Sequence, residues 1–378
     1  MVVKIGSNTL TDNRGRIRDD VMAERVSALA ALAKQGHRVL LVSSGAISSG
    51  LGLLPKAGKL NETVVELQAT SAIGQGRLYH RYYQLFRGHD IITAQILLTS
   101  FDIAGRSQYL NARNTLLKLM EWGVIPVINE NDTTSTDEIR YGDNDFLAAQ
   151  VAILVKADRL ILLTDTEGLY TSDPSVDPHA RLIEEVSDWS ALEEIEVGGA
   201  VSAMGSGGMK SKVVAAEMAT SADIEVVIAN GSRSGVIAAV MAGEKVGTRF
   251  PPARATISSF KLWLKYGLPS RGTVSVDAGA AKALSRGGKS LLPAGIVGVE
   301  GDFAAGEAVD IVHQQGVRRL IGKGKTNYSS EELKRIKGMR SQQVMKLMPC
   351  GKEEVIHRDY FVLMEQREGR DSYSDEKD

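Results

Sequence analysis

Residues 2–7 read VVKIGS, a short apolar run that contains one lysine and ends in glycine and serine. A continuous run of β-branched residues predicts a strand that is buried on both faces. A lysine in such a strand is costly unless its ammonium group reaches solvent or meets an opposite charge. Two explanations for Lys4 stay open. It reaches solvent from an edge strand, or it projects from the strand end onto an anion, beside the close-approaching backbone of Gly6.

The pattern of an apolar run followed by small polar residues and a helix recurs through residues 1–250. Apolar runs predict further strands at 37–46, 91–99, 124–129, 159–165 and 225–231. Amphipathic segments predict helices at 19–36, 62–86, 107–122, 145–157, 208–221 and 235–243. We expect an α/β fold with a mainly parallel open sheet sandwiched by helices. Ligands of such sheets bind beyond the carboxyl ends of the strands, so the polar segments should gather at one edge.

The alternation ends at a proline-containing segment, residues 251–271, which we interpret as a linker. Short strand signals separated by turns follow it and predict a smaller β-rich domain at 272–355. The polar residues 356–378 predict a disordered tail. The chain should therefore hold two domains, with the larger one, residues 1–250, carrying the chemistry.

Composition excludes several classes of protein. Of 378 residues, 43% are hydrophobic and 24% are charged, with a net charge of −1, so no global field favours nucleic acid or membrane. The single cysteine, Cys350, excludes an intramolecular disulfide framework and a cysteine-based zinc site. Without a signal peptide or a long apolar run, we expect a cytoplasmic protein that does not contact membranes.

Two common nucleotide-binding motifs and histidine chemistry are missing. Ala283 and Arg319 stand where the two lysine-containing candidates for a Walker loop need their first glycine. No dinucleotide-binding fingerprint follows a predicted strand, and the six histidines show no ligand-like pairing.

Four polar segments remain, each with an ordinary structural explanation beside the functional one. VSSGA (42–46) is a helix N-cap or an anion site. INENDTTSTDEIRYGDNDF (128–146) is a solvated acidic loop or a site for a zwitterion. TDTEGLYTSDP (164–174) is a surface loop or the wall of a nucleotide site. GSGGMKSK (205–212) is a linker or a phosphate site, because it leads directly into a predicted helix.

A fifth segment is basic rather than mixed. Residues 317–346 carry nine Lys/Arg against two Glu. The run is either a solvated basic face or a surface that contacts RNA phosphates weakly.

Taken in order, these segments resemble the glutamate 5-kinases of the amino acid kinase family. The resemblance rests on VVKIGS, VSSGA, LNARNTL, PVINENDTTSTDEIRYGDND, LLTDTEGLYTSDP and GSGGMKSK, and extends from residue 1 to about residue 355. The NEND run followed by GDND distinguishes this branch from the aspartate, carbamate, acetylglutamate and uridylate kinases. The second domain resembles a PUA domain, a β-rich module common in RNA-modifying enzymes.

The resemblance implies a role for each matching residue. The residues implied to bind glutamate are Ser44, Gly45, Asp132 and Asn144. Those implied to bind ATP are Lys4, Gly6, Thr164, Asp165, Ser206, Gly207, Gly208, Met209, Lys210, Ser211 and Lys212. Lys4 and Lys212 would stabilise the transferring phosphoryl group, and Asp145 would orient both lysines. No protein residue is implied as a certain metal ligand, since Mg²⁺ would sit on the ATP phosphates. Ser211 departs from the threonine usual in this family.

The resemblance also implies partners. The substrates would be ATP and L-glutamate, in the first step of proline biosynthesis, with proline as a feedback inhibitor. A homo-oligomer, either a dimer or a tetramer, is implied, as is transfer of the product to glutamyl phosphate reductase. The second domain would add a weak RNA contact.

Three alternatives differ from this interpretation. The chain could be another amino acid kinase, with a different acceptor. It could be an RNA-binding protein whose kinase-like domain is inactive, although Lys4, Asp145 and Lys212 are all present. A Rossmann dehydrogenase is disfavoured, because its glycine fingerprint is missing.

Overall fold

The computed structural model divides the chain into two units, Met1–Ile257 and a second from Ser258 onward. The residues that it describes are 1–12, 14–54, 63–99, 102–103, 106–134, 144–187, 189, 208–253, 261, 264–265, 268, 270–286, 288–315, 317–348 and 351–364. Among them, no helix is both long and apolar enough to cross a membrane.

A seven-stranded sheet forms the centre of the first unit. Its strands are β1 (Val2–Ile5), β2 (Leu40–Ser43), β3 (Thr93–Leu98), β4 (Ile125–Glu130), β5 (Arg159–Thr164), β6 (Glu225–Asn230) and β7 (Thr248–Phe250). Their order is β3-β4-β2-β1-β5-β6-β7, and every neighbouring pair is parallel except β6 and β7. The predicted α/β sheet is therefore confirmed, with one short antiparallel strand added at an edge.

Helices connect the parallel strands. They are α1 (Ser7–Leu10), α2 (Asp19–Lys34), α3 (Ala46–Leu51), α4 (Val64–Arg87), α5 (Arg106–Glu121), α6 (Asp145–Val155), α7 (Gly208–Thr220) and α8 (Val236–Met241). Six of these match predicted helices. The two short ones, α1 and α3, consist mostly of small and hydroxyl residues, so no apolar periodicity marks them.

The position of β1 decides between the two explanations for Lys4. β1 lies between β2 and β5, so it is a central strand and not an edge strand. Val3 and Ile5 belong to the main apolar core, while Lys4 points to the opposite face of the sheet and is only 1% exposed. The edge-strand explanation is therefore wrong, and the ammonium group needs a partner inside the protein.

The second unit contains a five-stranded sheet with helices around it. Its strands are β8 (Gly272–Val276), β9 (Ile296–Gly301), β10 (Ala308–Gln315), β11 (Val317–Lys325) and β12 (Phe361–Leu363), in the order β12-β11-β10-β8-β9. Its helices are α9 (Ala278–Ser285), α10 (Ser330–Ile336) and α11 (Ser341–Leu347). The β-rich character is confirmed, but none of the three α-helices among its described residues was predicted.

The predicted tail begins too early. Ile356 is fully buried, and β12 pairs with β11 from Phe361 to Leu363. The expected disordered tail at 356–378 is therefore wrong for residues 356–364, because their apolar side chains complete the core of the second unit. Residues 365–378 lie outside the described part.

Two glycines allow α3 and α4 to pack backbone against backbone. A Cβ atom added at Gly74 of α4 would overlap the carbonyl oxygen of Ala46, and one added at Gly50 of α3 would overlap that of Thr70. This contact holds α3, which follows the polar end of β2, against the amino-terminal half of α4.

Substitution of Gly74 by alanine should lower the free energy of unfolding by about 1–3 kcal/mol, because the added methyl group forces the two helix backbones apart. Urea denaturation of the purified protein measures this. Gly76→Ala is the matched control, since Gly76 lies on the same helix with no atom within 4 Å of an added Cβ. It should stabilise the helix by roughly 0.5–1 kcal/mol. Equal effects of the two changes would contradict the close contact.

Candidate active site

Polar residues meet at one edge of the first sheet, where β1, β2, β4 and β5 end. Because these strands are parallel, their carboxyl ends lie at the same edge. The segments that follow them begin at Gly6, Ser44, Asn131 and Asp165. The expected gathering of polar segments is therefore found.

Two buried ammonium groups share one buried carboxylate at this edge. Lys4 Nζ lies 2.7 Å from Asp145 Oδ1, and Lys212 Nζ lies 2.8 Å from Asp145 Oδ2. The exposed fractions are 1% for Lys4, 0% for Asp145 and 6% for Lys212. Together the three side chains carry one net positive charge away from bulk water. Two cations are thereby held close together where water is largely excluded, and an anionic ligand would interact with them more strongly there than in bulk water.

The amino-terminal turn of α7 brings Lys212 to this place. Lys212 Nζ also donates to the carbonyl oxygen of Gly208 at 3.0 Å, and Ser211 Oγ lies 3.3 Å from Asp145 Oδ2. Met209 is buried, whereas Lys210 is exposed. The first turn of a helix offers backbone N–H groups without intrahelical partners, so anions are favoured there. Ser206 and Gly207, also predicted for this site, lie outside the described residues.

Asn144 joins the ends of two strands. It is the N-cap residue of α6, and its Nδ2 group donates to Ser43 O at 2.5 Å and to Asn129 Oδ1 at 2.6 Å. Asn129 in turn donates to Gln75 Oε1 on α4 at 2.5 Å. Both N–H donors of Asn144 are therefore used within the protein, so direct contact with a substrate would have to use Oδ1 or the backbone.

Asp132 lies in the segment after β4 and contacts α4. Its Oδ2 accepts a hydrogen bond from Ser71 Oγ at 2.5 Å. Burial raises the pKa of Asp132 above its ordinary value, and the hydrogen bond from Ser71 acts in the opposite direction. Asp137, Glu138 and Asp143 of the same acidic segment lie outside the described residues.

Ser44 and Gly45 form the turn between β2 and α3. Ser44 is 8% exposed, and within the described part of the chain its hydroxyl group has no hydrogen-bond partner. Gly45 caps α3 with φ of 99°, in the left-handed region that glycine adopts without strain. A buried hydroxyl group without a partner is available to a ligand.

Thr164 is the last residue of β5, and Asp165 follows it near Lys212. Asn8 of α1 donates to Asp165 Oδ2 at 2.9 Å, and Thr164 donates to Oδ1 at 3.2 Å. The hydrogen bond from Asn8 lowers the pKa of Asp165, and the positive charge of Lys212 acts in the same direction. Asp165 is therefore an ionised, exposed carboxylate beside the buried lysine.

The described side chains at this site do not form a metal-binding site made of protein ligands alone. Within the described ranges, no group of three His, Cys, Asp or Glu side chains is suited to hold a metal ion. Asp145 already faces two ammonium groups, which compete with any added cation. These residues fit a Mg²⁺ ion that arrives on nucleotide phosphates and keeps water ligands.

The structure adds four side chains that were not predicted as site residues. On α4, Ser71 contacts Asp132 and Gln75 contacts Asn129. Asn8 of α1 contacts Asp165. Asn129 itself lies in the predicted acidic segment, so its position was a usable signal. Ser71 and Gln75 lie inside a long helix far from the motifs, and no local pattern distinguishes them.

Comparison with protein families assigns both units. Residues 1–230 match the amino acid kinase family, and residues 272–348 match the PUA domain. Both domains expected from the sequence are therefore confirmed.

Curated relatives match over nearly the whole chain. A glutamate 5-kinase of Caldanaerobacter subterraneus subsp. tengcongensis is 45% identical over 369 residues, which are 97% of this chain and 98% of that protein. A glutamate 5-kinase of Burkholderia ambifaria is 45% identical over 365 residues, 96% of this chain and 97% of that protein. A solved UMP kinase from Bacillus anthracis is 14% identical with a TM-score of 0.48, over 67% of this chain and 95% of that one.

Proposed function

The chain belongs to the amino acid kinase family, and within it to the glutamate 5-kinases. We therefore propose that the residues at the carboxyl ends of β1, β2, β4 and β5 form the site at which glutamate is phosphorylated. The reaction is ATP-dependent phosphorylation of the side-chain carboxylate of L-glutamate, the first step of proline biosynthesis. The observation that carries the assignment of the site is the buried group of Lys4, Asp145 and Lys212 among the ends of the parallel strands.

The chemistry needs no general base. A glutamate side chain has an ordinary pKa of about 4.3, so the attacking carboxylate is ionised at neutral pH. One carboxylate oxygen forms a bond to the γ-phosphorus, while the bond from that phosphorus to the β,γ-bridging oxygen breaks. The electron pair of the broken bond leaves with ADP. The absence of a paired histidine from the predicted motifs agrees with this route.

Catalysis then consists of alignment and charge neutralisation, since an anion must approach an anionic phosphate. Lys4 and Lys212 would meet the γ-phosphate from the face of the sheet on which Lys4 lies. Asp145 would hold both ammonium groups in place and charged. The backbone N–H groups at the start of α7 would bind further phosphate oxygens.

Magnesium would enter with the nucleotide. When bound to the phosphates of ATP, Mg²⁺ neutralises part of their charge. Asp165, ionised and exposed at the end of β5, is the carboxylate that would hold the ion or its water ligands. Thr164 would contribute to the nucleotide site beside it.

Glutamate would bind at the carboxyl ends of β2 and β4, on the side of β1 opposite to β5. Ser44 offers a buried hydroxyl group with no partner among the described residues, and Gly45 offers backbone. Asp132 would pair with the α-ammonium group of the substrate. Asn144 would hold the ends of β2 and β4 together and contact the substrate only through the groups that its own hydrogen bonds leave available.

The reaction is tested by ADP formation with each of glutamate, aspartate, acetylglutamate and UMP, with hydroxylamine present to trap an acyl phosphate. Glutamate alone should give both ADP and the hydroxamate. ADP formation with a different acceptor would identify another amino acid kinase. Salt-dependent RNA binding without ADP formation from any acceptor would instead favour the inactive-kinase alternative.

The two lysines of the glycine-rich segment should differ in importance. Lys212→Ala should lower kcat by about 10²–10³-fold, since it removes a cation from the transferring phosphoryl group. Lys210→Ala is the matched control two residues away, because Lys210 is exposed and should keep most of the activity. Steady-state kinetics of both variants measure the difference. Near-normal kcat in Lys212→Ala would contradict the assignment.

The raised pKa of Asp132 should appear in the pH dependence of glutamate binding. As pH falls through that pKa, the carboxylate takes up a proton and loses its attraction for the α-ammonium group, so KM for glutamate rises. The measurement is KM between about pH 5 and pH 8, a range in which free glutamate keeps its side chain ionised. KM for ATP is the internal control. Asp132→Asn should raise KM for glutamate and remove its pH dependence, and an unaltered slope would contradict the role.

Proline inhibition belongs to the same proposal. Proline carries the same α-carboxylate and ammonium pair as glutamate, so it would compete in the pocket of Asp132 and Asn144. Added proline should raise KM for glutamate and leave kcat unchanged. If glutamate binding does not weaken in the presence of proline, this part of the proposal fails.

The remaining partners rest on the resemblance of the chain to its family. The second unit is a PUA domain, a module of the RNA-binding kind. Within its basic segment, Lys323 donates to two backbone carbonyl groups and Arg318 pairs with Glu300, whereas Lys334, Arg335 and Lys337 are exposed. A weak RNA contact would use these exposed side chains. A homo-oligomer, transfer of product to a reductase and a cytoplasmic location complete the proposal.

A further inference from the structure

The helix α4 contacts the carboxyl end of β4 and the segment that follows it. Ser71 Oγ donates to Asp132 Oδ2 at 2.5 Å, and Gln75 Oε1 accepts from Asn129 Nδ2 at 2.5 Å. Ser71 and Gln75 are four residues apart and therefore lie on one face of the helix. Ser71 is 2% exposed, so its hydroxyl group contacts a substrate poorly but reaches the carboxylate.

Within the described part of the chain, Ser71 is the residue that donates a hydrogen bond to Asp132. A hydroxyl donor favours the ionised form of a carboxylate and fixes its rotation. One oxygen of Asp132 is then held by the protein, and the other is left to meet a cationic group. The adjacent hydroxyl group behaves differently, since Thr70 Oγ1 donates to Glu66 O of its own helix at 2.6 Å.

We propose that Ser71 is a positioning residue for the phosphorylation of glutamate, which holds Asp132 as an ionised receptor for the α-ammonium group of the substrate. This inference rests on the proposed function. It assigns to α4 a part in amino acid recognition, through a residue that does not itself touch the substrate. Gln75, one helical turn further on, holds Asn129 near the end of β4, directly before this segment.

The close packing of α3 on α4 makes this arrangement rigid. Gly74 lies between Ser71 and Gln75 and admits the backbone of Ala46, the residue after Gly45. The Ser44–Gly45 turn and the Asp132 carboxylate are thus held against the same stretch of α4. Two parts of the proposed glutamate site therefore share one support, while the phosphate-binding lysines lie on other elements.

The test measures kcat and KM for both substrates. Ser71→Ala should raise KM for glutamate roughly 10-fold, the effect of losing a hydrogen bond to a charged group, with kcat and KM for ATP changed less than about twofold. Ser71→Thr keeps the hydroxyl group and should restore KM. Thr70→Val is the matched control and should resemble the unsubstituted protein. If Ser71→Ala fails to fold, Ser71→Cys keeps the volume with a weaker donor and serves instead.

A double-substitution cycle separates positioning from general damage. In the Asp132→Asn background, Ser71→Ala should change kcat/KM for glutamate by less than about twofold, because the group it acts through is gone. An unchanged KM for glutamate in Ser71→Ala would overturn the inference. An equal rise in KM for ATP in Ser71→Ala would also overturn it. So would a Ser71→Ala effect of the same size in the Asp132→Asn background. Lack of glutamate-dependent ADP formation by the unsubstituted protein would overturn the proposed function itself.

Discussion

The sharing of one carboxylate by two buried ammonium groups is the constraint on which the first unit depends. Lys4, Asp145 and Lys212 come from a strand and two helices, and each would be costly to bury alone. The carboxylate permits both cations to stay in the interior, and the ionised Asp165 lies near Lys212 as well. In the proposed reaction, both ammonium groups would therefore be held in place before any ligand arrives, and their orientation would not have to be created during the reaction.

The strand order explains how these residues meet. β1 is central, with β2 on one side and β5 on the other, so the carboxyl ends of these three strands lie next to one another near Lys4. α6 packs on β1 and on α7, which places Asp145 between the two lysines. The residues proposed to bind glutamate, after β2 and β4, and those proposed to bind ATP, at the end of β5, then lie on opposite sides of β1. A single central strand thus separates the two proposed substrates and supplies a cation at their boundary.

Much of this arrangement could be predicted from sequence, because its signals are local. Apolar runs and helical periodicity located most elements of the first unit, and the polar segments after the strands marked the candidate site. The contact between Ser71 and Asp132 could not be found this way, since it joins residues 61 positions apart and depends on how α4 packs. The short helices α1 and α3 lack an apolar face, and the helices of the second unit are only seven or eight residues long, too short for a clear helical periodicity. The burial of Lys4 needed the strand order, which local patterns do not give.

The three-residue strand β12 has a consequence for how the second unit behaves as a folded body. Phe361 and Val362 are almost fully buried, and the ring of Phe361 lies against Gly322 of β11. β12 covers one edge of the sheet from Gly322 to Gly324, where β11 would otherwise present unpaired backbone to solvent. Open edges of this kind recruit strands from other molecules. A strand of three residues, distant in sequence from β11, therefore replaces this part of the longer β11 as the edge of the sheet, and very short edge strands limit such pairing.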